Sequence, residues 1–384
     1  MKKHLKILTL ILFCLCFIFN QKVSAENKIK IGLLVPNTGE NKKLGEQIIK
    51  SVRMAINDID NNKIEILIKD SGSNPDKTLQ SAEELKDIGV NIVLGPVFIK
   101  SLEYLDQIED MIFLSFTNQT INLPKNVISS GVNSTSQINT ISKFIDQNKI
   151  DKTIFLIPKL NYEAELKKSI KKSKLKKIKI YSYDTEPTKL TKRIEEITNY
   201  QIRKRNLEDE IRRLKKSEEP GKEKKIANLE KRYTLGRVNF DAIIIGDFDE
   251  SLKSVATSLL YSDVSPKKKY FITLNQWFNR SFIVEESLQP IYYPSIDKKN
   301  FELFKKKFFK EFDEYPDHIS LLSYDLVGLV YYLSLTSNLS NIDNLFKKES
   351  SFKGKMGIFD IKNNEINHRL NFYKVENKKL IKIF

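Results

Sequence analysis

The chain carries little of the equipment of an enzyme. Its three histidines are His4, His318 and His368, and 50 positions separate the last two. No H-E-x-x-H sets paired imidazoles on one helix face for a metal, and no G-x-S-x-G presents a serine at a strand-to-helix elbow. Neither G-x-G-x-x-G nor G-x-x-x-x-G-K-[ST] occurs, so no glycine-rich loop is available to cradle a nucleotide phosphate. Asp247 and Asp249 bring two carboxylates together, which an Asp-rich loop after a strand accounts for. Both cysteines, Cys14 and Cys16, lie in an apolar N-terminal run, and the remainder has no thiolate ligand, disulfide or cysteine nucleophile. The inventory points to a non-enzymatic protein without metal or cofactor. What remains is the chemistry of binding: hydroxyls and amides for hydrogen bonds, aromatic rings for apolar cover.

Those groups gather at predicted strand ends. Short apolar strands alternate with amphipathic segments, the pattern of βαβ units and a parallel sheet. The first unit is a strand over 29–35, a turn at Pro36-Asn37-Thr38-Gly39 and a helix over 44–59. Strands follow at 64–69, 92–94 and 111–116, with helices at 76–87 and 102–108. After a break near 119–140 the same grammar restarts, with strands at 153–157, 177–183, 242–245 and 270–274. Two α/β lobes result, with helices over 298–312 and 319–335 and a terminal hairpin or meander over 352–375. Ligands of open α/β sheets sit beyond the carboxyl ends of the strands, and hinged lobes close over them. The candidate ligand-binding residues are therefore Asn37, Thr38, Val97, Phe98, Thr117, Asn118, Tyr162, Asp247, Asn275 and Trp277. Their hydroxyls and amides suit a small polar ligand, and Phe98, Tyr162 and Trp277 its apolar part.

Residues 1–25 read as a cleavable signal peptide. Lys2, Lys3 and Lys6 precede the apolar run 7–19, and Val23-Ser24-Ala25 supplies a small-residue cleavage site. The run is shorter than the roughly 20 residues that span a bilayer. Phe13 and Leu15 before the cysteines disfavour a lipoprotein. The expectation is a periplasmic protein with no transmembrane span after cleavage. The formal charge of +16 falls to +12 without Lys2, Lys3, Lys6 and Lys22. Because lysines are spread along the chain among acids, this reads as a solvated surface and not as a nucleic-acid footprint.

One segment departs from the α/β grammar. Residues 190–233 are helical in propensity and hold 14 Lys/Arg against 9 Asp/Glu, with sparse apolar positions at spacings of three and four and a turn at Ser217–Gly221. A charged helical hairpin inserted in the second lobe is expected, either a solvated decoration with a thin seam or a docking arm for a partner. The expected domains are 26–130 plus 281–345 for lobe 1, and 131–280 plus 346–384 for lobe 2.

The opening IGLLVPNTGENKKLGEQIIKSVRMAIND, with Pro36, Thr38, Gly39, Gly45 and Ala55 in place, resembles the first unit of the leucine/isoleucine/valine-binding family of type 1 periplasmic solute-binding proteins. NIVLGPVF, MIFLSFTNQ, YDLVGLVYYL and the terminal F-x-G-x-x-G-x-F match in order. A charged insertion before NFDAIIIGDFDESLKSVATSLLYSDV, followed by LNQWFN, is similar to the penicillin-binding protein activators. The resemblance spans about residues 28–384. It implies a two-lobed type 1 periplasmic-binding-protein fold that regulates peptidoglycan synthesis through a penicillin-binding protein, or else a substrate-binding protein serving an ABC permease for branched-chain or other amino acids. The sequence departs from the amino-acid binders at Ile99-Lys100, where they place a small hydroxyl residue that grips the ligand carboxylate.

Overall fold

The computed structural model describes residues 28–60, 63–279, 284–336 and 345–384; the signal-peptide reading of residues 1–25 lies outside them. The first sheet is wholly parallel, built from β1 (Ile29–Val35), β2 (Ile64–Asp70), β3 (Ile92–Leu94), β4 (Ile112–Ser115) and β5 (Val127–Ser129) in the order β2-β1-β3-β4-β5. β3 and β4 are apolar at every residue but Ser115, as strands covered on both faces must be. Helices start where caps permit. Asn74 accepts from the Lys77 amide ahead of Pro75–Asp87, with proline at the first position, and Asp297 accepts from Asn300 ahead of Lys298–Phe312.

The second sheet contains β6 (Thr153–Pro158), β7 (Ile178–Tyr183), β8 (Ala242–Ile245), β9 (Tyr270–Thr273) and β10 (Ile291–Ser295). A third sheet is the antiparallel meander β11 (Ser350–Lys353), β12 (Ile358–Lys362) and β13 (Glu365–Arg369). Strands β14 (Asn371–Glu376) and β15 (Lys379–Lys382) then return to the second sheet, whose order is β15-β14-β10-β9-β8-β6-β7. β10 runs parallel to β9 and antiparallel to β14.

Sheet membership redraws two of the expected boundaries. Within 281–345, assigned to lobe 1, β10 pairs with β9 of the second sheet. Within 346–384, assigned to lobe 2, Phe359, Ile361 and Ile366 bury their side chains in the core that holds Leu33, Val52 and Val330 of lobe 1. Strand pairing decides the first and side-chain burial the second, and contiguous sequence blocks encode neither. The expected helix over 102–108 is instead two short 3-10 turns, Ile99–Leu102 and Leu105–Gln107. Its buried positions Leu102, Leu105 and Ile108 recur every three residues, the 3-10 period.

Helix His318–Thr336 is long and apolar enough to cross a membrane by composition, but 56% of its most apolar window is buried. It packs against helix Lys42–Ile59, where the Ser51 hydroxyl donates to the Ser320 carbonyl at 2.5 Å. Gly45 is required at this helix start, because a Cβ there would collide with the Pro36 carbonyl.

The charged segment resolves into three helices. Leu190 and Ile194, on helix Pro187–Thr198, are buried in the second lobe's core. That helix is an ordinary crossover of the lobe, and the departure begins at Tyr200. Helices Tyr200–Lys216 and Lys222–Leu229 then lie side by side, linked by Lys215–Glu230 at 3.5 Å and by Glu219, which pairs with Arg213 at 2.6 Å and Lys225 at 3.0 Å. At their base the guanidinium of Arg203 is buried. It donates to the carbonyls of Thr198 (3.0 Å) and Ser262 (2.5 Å) and to the Thr234 hydroxyl (3.0 Å).

Candidate functional site

A cavity of about 280 Å³ opens at the carboxyl ends of β3 and β4. Val97, Phe98 and Ile99 enter it from the segment after β3, and Phe116, Thr117 and Asn118 from the segment after β4. Gly95 sets the first of these on course. Its φ of +110° and its contact with the Leu34 carbonyl leave no room for a Cβ, so the chain turns sharply off the sheet. Helix His318–Thr336 contributes His318, Ile319 and Leu322, and Met356 comes from the turn before β12. Trp277, from the segment after β9, reaches the cavity from the second lobe.

Five of the ten predicted residues thus meet in one place: Val97, Phe98, Thr117, Asn118 and Trp277. The others do not line it. Asn37 and Thr38 are exposed and spend their groups on Asp70, whose carboxylate accepts the Asn37 amide and the Thr38 hydroxyl, each at 2.7 Å. They fasten the turn after β1 to the end of β2. Tyr162 and Asp247 form a separate cluster in the second lobe. The buried Asp247 carboxylate accepts the Tyr183 hydroxyl at 2.7 Å, the Tyr162 hydroxyl at 3.3 Å and the Phe248 amide at 2.9 Å. Burial, reinforced by the Asp247 charge, holds both phenols well above their ordinary pKa. They stay hydrogen-bond donors at any physiological pH.

Asn275 is a scaffold for its neighbours. Its side-chain oxygen accepts the Ser295 hydroxyl at 2.8 Å and the Trp277 amide at 3.0 Å, while its own amide donates to Gln137 at 2.9 Å. These bonds support a backbone bend in which Trp277 and Phe278 take φ values of +47° and +60°. Two consecutive bulky residues in the left-handed region cost strain that the surrounding contacts must sustain.

The main omission from the sequence-predicted set is His318. Its ring stacks on the Trp277 indole at a centroid distance of 4.0 Å and an interplanar angle of 24°. Its Nδ1 lies 3.0 Å from the Asp317 carboxylate. Burial lowers its pKa and Asp317 partly offsets this. The residue was visible in the inventory, but only the packing of its helix against the cavity gives it a place there. His368 is apart from the site, fully enclosed, with Nε2 2.9 Å from the Ser130 carbonyl. Among the described residues no cluster of three or more His, Cys, Asp or Glu side chains is placed to hold a metal ion.

Residues 28–191 match the periplasmic binding protein family. No curated protein matches the chain by sequence. The fold is similar to that of the C-domain of LpoA from Haemophilus influenzae, described as a regulator of PBP1A, at 13% identity and a TM-score of 0.60 over 92% of this chain and 100% of that one. Against full-length LpoA the figures are 13% and 0.61, over 93% of this chain and 59% of that one. The chain thus spans well under two thirds of the longer protein. The leucine-binding protein LivK from Thermotoga maritima is similar at 13% identity and a TM-score of 0.52, over 93% and 98% of the two chains. The chain carries the two-lobed type 1 periplasmic-binding-protein fold that LpoA and LivK also show, and the periplasmic binding protein family model matches its residues 28–191.

Proposed function

We propose that this protein is a non-enzymatic periplasmic regulator of peptidoglycan synthesis that acts by contacting a penicillin-binding protein. The observation that supports this reading over solute capture is the cavity wall beyond Gly95-Pro96. It presents Val97, Phe98 and Ile99, while Lys100 is not among the lining residues and Ser101 is buried behind them. This apolar wall supplies no side-chain donor to a ligand carboxylate, and burying an unpaired carboxylate against it would be costly. The likeness to LpoA runs through that protein's whole C-domain. In this reading the paired helices over 200–229 are the docking arm, held firmly to the lobe by Arg203.

The second reading, an ABC-transporter substrate-binding protein for amino acids, draws on the cavity itself and on the Tyr162–Asp247 pair at the strand ends of the second lobe. Two measurements separate the readings. Replacing residues 204–232 by a short Gly-Ser linker leaves Leu190 and Ile194 in the core; loss of binding to a purified peptidoglycan synthase ectodomain, with thermal unfolding still cooperative, is the result expected of the regulator, and retained binding removes the arm from the account. A receptor should gain about 2.7 kcal/mol of stability from an amino acid at 100 times its dissociation constant. The regulator shows no such shift across the twenty amino acids.

A further inference from the structure

Among the described residues, two contacts that cross from one lobe to the other border the cavity, and both are made by the protein's own groups. In the first, Glu165, in the opening turn of helix Glu163–Lys172 of the second lobe, is buried and directs its carboxylate at the segment after β4 of the first. Oε2 accepts the amides of Thr120 at 2.9 Å and Ile121 at 3.1 Å, and Oε1 accepts the Thr120 hydroxyl at 2.6 Å. One turn later Lys168 returns a bond to the Thr120 carbonyl at 2.9 Å. Bonds to an ionised acceptor are the stronger kind, and the first turn of a helix suits a negative charge. The second contact is the stack of Trp277 on His318. Thr120 follows Gln119, which lines the cavity together with Trp277 and His318, so both contacts border the same cleft.

We propose that these contacts form a self-latch: Glu165 with Thr120 and Ile121, and Trp277 with His318, hold the lobes closed without help from a ligand. In a hinged receptor, closure is driven by a ligand that interacts differently with the open and closed states. Here the equivalent bridging bonds are supplied by side chains. Their geometry fits a lasting role, because the Glu165 carboxylate is shielded from water and three donors converge on it, and because the bend carrying Trp277 holds unfavourable backbone angles to place the indole. Because closure needs no ligand, a ligand that fits the closed cleft shifts the lobe equilibrium little.

The test is an inter-lobe distance measurement. With Cys14 and Cys16 changed to serine, the chain has no other cysteine, and nitroxide labels at Glu40→Cys in the first lobe and Lys159→Cys in the second report separation by pulsed dipolar spectroscopy. The latched protein gives one narrow distribution. Glu165→Ala shifts it to a longer mean distance and broadens it, while circular dichroism confirms a folded protein. Should Glu165→Ala fail to fold, Glu165→Gln, which keeps the side chain's size but turns one acceptor oxygen into a donor facing the Thr120 and Ile121 donors, shifts the distribution in the same direction. A broad distribution in the unaltered protein, or an unchanged narrow one in the folded variants, overturns the proposal.

Discussion

The indole of Trp277 and the imidazole of His318 face each other at 4.0 Å, one carried by the second lobe and the other by a helix of the first. Since Trp277 is the sole tryptophan of the chain, its fluorescence reports on that stack alone. A protonated imidazole quenches an indole it touches. Burial holds the His318 pKa below its ordinary 6.5, so the emission should fall on acidification with a midpoint below that value. His318→Phe should abolish the pH dependence and leave the emission high. A midpoint at or above 6.5 would contradict the half-buried, stacked arrangement.

Arg203 sets the attitude of the paired helices. Replacing it with alanine strands the carbonyls of Thr198 and Ser262, while the Thr234 hydroxyl keeps its bond to Asp263; leaving buried polar groups unpaired costs about 1–3 kcal/mol each. A loss of at least about 2 kcal/mol is expected in urea denaturation, together with faster proteolytic cleavage at Ser217–Gly221. Lysine should recover little, because one ammonium cannot serve three acceptors fixed in a planar fork.

Two enclosed ionisable groups oppose each other as pH changes. Burial lowers the His368 pKa from 6.5 to about 4, so its contribution is present above about 6.5 and is lost as pH falls through about 4. Burial raises the Asp325 pKa from 3.8 to about 7, against the amides of Lys355 and Met356 that donate to it, so its contribution is present below about 4 and is lost as pH rises through about 7. At about 1.4 kcal/mol per unit, the shifts amount to about 3 to 4 kcal/mol for His368 and about 4 to 5 kcal/mol for Asp325, with opposite slopes over the shared window. The unaltered protein should therefore show a nearly flat stability between pH 4 and 6.5. Asp325→Asn should make stability rise with pH there, and His368→Gln should make it fall. Chemical denaturation at several pH values checks both signs.

In the second-lobe cluster, Tyr183 holds Asp247 at 2.7 Å and is fully buried, whereas Tyr162 holds it at 3.3 Å and is half-buried. Hydrogen bonds to charged groups contribute about 1.5–3 kcal/mol. Tyr183→Phe should cost an amount in that range, and Tyr162→Phe well under half of it. Equal losses in thermal unfolding would show that the two phenols share the charge evenly.

The alternation of strands and helices was legible because apolar periodicity is a local property. Ile29–Val35 and Lys298–Phe312 fall within a residue or two of their expected places. The cavity was half legible. Strand ends located Val97, Phe98, Thr117, Asn118 and Trp277, since a sheet's topology fixes which ends face the cleft. Asn37 and Thr38 also sit at a strand end, but Asp70, 32 residues beyond Thr38, claims their groups, and a partner at that separation leaves no local mark. His318 escaped for the converse reason. Nothing within its own helix predicts a tryptophan 41 positions earlier as its stacking partner. The charged segment misled in one respect: Leu190 and Ile194 share the spacing of the apolar residues that follow, although they serve a different core.

The second sheet takes its first strand from residues 153–158 and the antiparallel partner of β10 from residues 371–376. More than two hundred residues therefore have to emerge during synthesis before that module can close its edge. Until they do, β10 lacks a neighbour on one side, and the second core lacks Tyr373 and Val375. A polypeptide arranged in this order remains unfinished, and hence threadable, for most of its time on the ribosome. For a protein proposed to work beyond a membrane, such late completion keeps the second lobe from locking before passage.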